Sequence, residues 1–74
     1  MDRRFLEETL AIVEKHVALG EAHIVRQRQI VSELRRDGHD PTQSEGLLAS
    51  FEALQVMHLE HRDRLRFELS TLKP

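Results

Sequence analysis

Arg36-Asp37-Gly38-His39-Asp40-Pro41-Thr42 is the one clear interruption in a chain otherwise rich in helix formers, and its reading decides the fold. Gly38 can adopt the left-handed backbone that closes a helix just beyond its C-cap. Asp40 can then cap a following helix, with Pro41 at its first position and Gln43 three residues on from the cap. Thr42 with Glu45 forms a competing capping box slightly later. On either reading one helix ends near residue 37 and another begins near residue 41. A link this short makes the two helices antiparallel neighbours.

On the N-terminal side of this turn, residues 3–36 contain no proline and are rich in Leu, Glu, Arg, Gln and Ala. Leu6, Leu10, Val13, Val17, Gly20, Ile24, Gln27, Val31 and Leu34 follow one another in steps of four and three, which is a helical seam. Gly20 and Gln27 are its two unusual members. Phe5, Ile12, Leu19 and Ile30 form a second stripe beside it, so the apolar arc is wider than one neighbouring helix needs. On the C-terminal side the expected main stripe is Leu47, Phe51, Leu54, His58, His61 and Leu65, finished by Leu69 and Leu72. A weaker one comprises Ala49, Ala53, Val56 and Phe67, and Lys73 and Pro74 end the helix.

The expected fold is all-α, an antiparallel two-helix hairpin in one domain over residues 1–74. Its helices cover about 3–36 and about 42–72, with a turn over about 37–41. Each helix is about 45–50 Å long at 1.5 Å per residue. Two such rods leave their second stripes in water, whereas a pair of hairpins forming a four-helix bundle covers them. A homodimer is therefore expected. A monomer with scattered exposed apolar residues is the plainer alternative.

Composition excludes several functions. Eleven basic against thirteen acidic residues, no Trp or Tyr and only three Phe argue against a nucleic-acid partner. Absence of Cys excludes disulfides and thiolate zinc sites. Met1-Asp2-Arg3-Arg4 lacks an apolar signal core and no apolar run approaches membrane-spanning length, so a soluble, cytoplasmic protein without membrane association is expected. No Ser/His/Asp set, glycine-rich phosphate loop or catalytic carboxylate pair stands out, and no enzymatic activity is expected.

The five histidines are the unusual count. Full protonation would carry the formal charge from −2 to +3, so association that buries imidazoles should weaken near pH 5.5. His58-Leu59-Glu60-His61-Arg62 puts two imidazoles on the expected inner stripe. With positions summing to about 78 facing each other, Gly20 lies opposite His58, Val17 opposite His61 and Gln27 opposite Phe51. His16 and His23 bracket Gly20, and Gln55 and Arg62 edge the opposite stripe.

Three readings follow. A buried, satisfied polar layer would restrict helix register and pairing. A metal site would use His58 and His61 with His16, His23 or Glu21, and would take zinc or another imidazole-preferring transition metal. However, no Glu here has a His three residues on, the spacing that carboxylate-bridged bundles use. A phosphoryl-accepting histidine would need an exposed imidazole, and His39 on the turn lacks a supporting helix. Arg62-Asp63-Arg64-Leu65-Arg66 reads as a solvated, ion-paired face, with Glu14 and Glu21 expected to reach Arg62.

Four runs, residues 20–28, 36–40, 47–52 and 58–62, together resemble short uncharacterised bacterial helical-hairpin proteins. The likeness spans roughly residues 17–66 as an overall pattern and implies a compact hairpin without bringing a known activity or functional residues. The expected role is a small self-associating interaction, regulatory or scaffolding protein, meeting itself first and then another protein through a helix face. A histidine-layered metal-binding four-helix bundle is the alternative.

Overall fold

The computed structural model describes residues 2–72; Lys73 and Pro74, expected to end the second helix, lie outside the described residues. Two helices, α1 (Arg3–Arg36) and α2 (Thr42–Thr71), pack against each other, and no strand occurs among the described residues. They form a rod of 58 × 14 × 13 Å. Among the described residues no helix is long and apolar enough to cross a membrane.

Each end of α1 has a local cause. Asp2 Oδ1 accepts a hydrogen bond from the Arg4 backbone N–H at 3.3 Å, satisfying one of the free donors of the first turn. At the other end the His39 N–H donates to the Leu34 carbonyl at 2.8 Å and the Gly38 N–H to the Arg35 carbonyl at 3.2 Å. With Gly38 at φ 76°, this is the paired closure in which a left-handed residue satisfies the last carbonyls of a helix. Asp40 Oδ1 then accepts from both the Thr42 hydroxyl at 2.6 Å and the Thr42 N–H at 3.0 Å. Asp40 therefore organises the start of α2 from one residue before the cap: Pro41, expected at the first helical position, is itself the cap and α2 begins at Thr42. Glu45 turns to Arg35 at 3.3 Å instead of closing a box with Thr42.

The α1 seam lies inside as its spacing requires. Leu6, Val13, Ile24, Gln27 and Val31 are buried, and Leu10, Val17, Gly20 and Leu34 are half-buried. Helix α2 departs from expectation. Phe51, His58 and Leu65 face inward, but Leu47 and Leu54 are 47% and 50% exposed and His61 is exposed. Their expected places go to Leu48, Gln55 and Arg62, each one residue further on. Hydrophobicity alone would choose Leu54. The facing surface instead offers a notch and a backbone carbonyl suited to an amide, and Arg62 covers apolar surface with its stem while its guanidinium reaches Asp63 at 2.9 Å.

The apolar core sits at the end away from the turn, where Leu6, Val13 and Leu65 pack with Leu10, Leu69 and Leu72. One flank of the hairpin carries the cross-helix ion pairs Glu14–Arg66 at 3.4 Å, Arg28–Glu52 at 3.4 Å and Arg35–Glu45 at 3.3 Å. Glu14 thus meets Arg66 rather than Arg62, one turn from the expected partner. These pairs are exposed, so each contributes little, about 0–1 kcal/mol.

Two measurements check this packing. Leu6 is only 1% exposed, so Leu6→Ala should cost about 2 kcal/mol or more in urea unfolding, against about 0.5 kcal/mol or less for Phe67→Ala on the surface. The Thr42 hydroxyl and then its backbone N–H hold the Asp40 carboxyl below its ordinary value of 3.8. A lowered folded-state pKa gives stability that is complete above 3.8 and lost as pH falls through the folded value. Asp40→Ala should therefore lower the melting temperature at pH 7, and the gap to the parent should close in strong acid. A gap of constant size down to pH 2 would contradict this role.

Candidate functional site

Two glutamines clasp the helices together. Gln55 of α2 donates through Nε2 to the Val17 carbonyl of α1 at 2.8 Å, and Gln27 of α1 donates through Nε2 to the Ser44 carbonyl of α2 at 3.1 Å. They are 8% and 6% exposed, which makes these buried, directional contacts rather than surface polarity. Gly20 makes the first possible. A Cβ there would overlap Gln55 Oε1 and come within 2.9 Å of Gln55 Cδ. The glycine thus accommodates an amide, not the imidazole of His58 that the expected register put opposite it.

His58 lies nearly one turn along from Gln55, beside His16 of α1, with ring centroids 5.5 Å apart and planes tilted by 43°. His23 stacks on Phe51 with centroids 5.4 Å apart at 28°. These four side chains, with Leu19, Gly20, Leu54 and Gln55, line an open groove of about 330 Å³ on one flank. Beyond Leu54 and His58 the same surface continues to Met57 and His61, with Glu60 and Arg64 at its margin. Seven-residue spacing extends it from Leu19 to Ile12 and Phe5, and from Leu54 to Leu47, all about half exposed. Every histidine except His39 borders this face.

Two buried polar atoms of groove residues have no hydrogen-bond partner among the described residues, Gln55 Oε1 and His58 Nδ1. The amide orientation of Gln55 is set by the Val17 carbonyl, which requires the nitrogen on that side, so Oε1 faces Gly20. His58 Nδ1 can act as donor or acceptor depending on tautomer.

The residues singled out in the sequence are therefore distributed unevenly. His16 and His58 form a pair, and His23 packs one heptad along α1. His61 stands exposed at the outer edge of the face. Glu21 lies on the opposite flank, where it lines a separate groove with Val25, Arg28 and Arg62. Among the described residues of one chain, no three His, Cys, Asp or Glu side chains come together in a way that could hold an ion.

Gln55 is the central residue that hydrophobic spacing passed over. The available signal was the step from Leu65 to Leu69, which is already in phase with Leu48, Gln55 and Arg62. Comparison of the chain with protein-family models, with curated proteins and with solved structures finds no match.

Proposed function

We propose that the protein is a small cytoplasmic self-associating module, a homodimer of hairpins forming a four-helix bundle, that acts by interaction in a regulatory or scaffolding role without catalysis. The observation that carries this reading is the division of the two flanks. One is crossed by three ion pairs, whereas the other presents Ile12, Leu19, Leu47, Leu54 and Met57 beside imidazoles and leaves them uncovered.

Size supports a second copy as the first occupant. A face of a rod 58 Å long and 14 Å wide is on the order of 800 Å², close to what each partner contributes to a standard interface. The three cross-helix ion pairs lie on the other flank, away from this apolar line. An identical apolar face is its natural complement, and pairing two hairpins adds the layer that a two-helix domain lacks.

Sedimentation equilibrium tests the proposal. The parent should be a dimer at micromolar concentration. Leu54→Glu, on the apolar face, should shift it to a helical monomer, while Val25→Glu on the opposite flank should leave it dimeric. A parent that stays monomeric at tens of micromolar, or a Leu54→Glu variant that dimerises as well as the parent, would defeat it.

A further inference from the structure

We propose that His16 and His58 are ligands of a transition-metal ion, and that the same pair from a second copy completes its coordination. This rests on dimerisation through the histidine-bearing face. The geometry of the pair is suited to it. Two imidazoles on one tetrahedral ion, with metal–nitrogen bonds of about 2.0–2.1 Å, hold their ring centroids about 5–6 Å apart. His16 and His58 are at 5.5 Å, contributed by different helices, and neither ring is stacked flat on the other. The centroid separation leaves room for one nitrogen of each ring to turn toward a shared point.

The orphaned groups behind the pair supply the second argument. A metal-bound imidazole keeps a proton on its other nitrogen and gives it to an acceptor. His58 Nδ1 is the buried nitrogen, which leaves Nε2 for the open side of the groove. Gln55 Oε1 is an acceptor without a donor, buried in the same groove and held in orientation by the bond from Nε2 to Val17. Rotation of the His58 ring to donate from Nδ1 to Gln55 Oε1 would satisfy both atoms with one hydrogen bond. It would also fix the tautomer with its free lone pair on the metal side.

The surroundings select the kind of ion. Glu21 is on the far flank and Glu60 is at the margin, so the central donors are neutral nitrogens. Imidazole sets favour zinc, copper or nickel over magnesium or calcium. One chain supplies two such donors in contact, half of a tetrahedral set, and the pair lies one turn from the Gly20–Gln55 contact near the middle of the rod. A twofold axis along the rod brings two pairs to the same height.

Calorimetric titration of zinc chloride into tag-free, metal-free protein provides the test, with oligomeric state measured in parallel. One ion per two chains is expected. His16→Gln and His58→Gln should each weaken binding at least tenfold, Gln55→Leu should weaken it with all histidines intact, and His39→Gln should leave it unchanged. Cobalt should give the visible absorption of a tetrahedral nitrogen site. Circular dichroism checks that the variants remain helical; His16 is exposed, so His16→Gln decides the matter even if His58→Gln unfolds. A metal-free dimer that takes up no zinc would overturn this proposal and leave the dimer standing. One ion per monomeric chain, or binding indifferent to His16→Gln, would overturn the shared site.

Discussion

A buried amide must find its hydrogen bonds where the facing helix happens to offer them, and the side chain of Gln55 finds one at the Val17 carbonyl only because Gly20 leaves space. That constraint sets the rotation of α2. With Gln55 inside, Leu54 and His61 turn outward, Arg62 lies along the seam, and His58 comes beside His16. The glycine costs about 1 kcal/mol of helix propensity relative to alanine. A buried hydrogen bond contributes a net of about 0.5–1.5 kcal/mol, of similar size, so the clasp adds direction more than stability. Gln27 makes the reciprocal bond to Ser44, and together the two contacts fix both the offset and the rotation of the helices.

This rotation has a consequence for the surface. The three cross-helix ion pairs all fall on one flank, and the histidines near the helix middles fall on the other with a line of half-exposed Leu, Ile and Met residues. A hairpin of this size has little with which to bury such a line itself. Its apolar cluster sits at the end away from the turn, with Ile24 and Val31 buried separately nearer to it, and chains this short bury only about 60% of their unfolded surface. These features support self-association as the role of the apolar face. The amides of the polar middle act within the hairpin, distinguishing one alignment of its two helices from others, since shifting an amide off its carbonyl costs more than sliding one leucine past another.

The turn and the whole inner face of α1 were legible in the sequence because each rests on local chemistry: Gly38 for a left-handed residue, and unbroken steps of four and three from Leu6 to Leu34. Asp40 does bond to Thr42, but Pro41 takes the cap position expected for Asp40 and the helix begins at Thr42. Gly20 could be recognised as a position needing a reason. What occupied its notch could not, because apolar residues are spread around much of α2 and the choice between Leu54 and Gln55 depends on the shape and hydrogen-bonding groups of the facing helix. The same one-residue change of phase moved His61 off the seam to the outer edge of the face, while His58 stayed half-buried. The expected partnership of His58 with helix one was realised through His16, whose flank position hydrophobic periodicity does not rank.

The most direct test of the clasp is a double-mutant cycle on Gly20→Ala and Gln55→Ala, read by urea unfolding. In the parent the new methyl collides with the amide of Gln55, which must move off the Val17 carbonyl, and this offsets the better helix propensity of alanine. In the Gln55→Ala background the collision is gone, and the same substitution should stabilise by up to about 1 kcal/mol. The predicted result is a coupling of about 0.5–1.5 kcal/mol, the size of the displaced hydrogen bond, with Gly20→Ala the less favourable in the parent. If Gly20→Ala has the same effect in both backgrounds, the Gly20–Gln55 contact does not set the register of this hairpin.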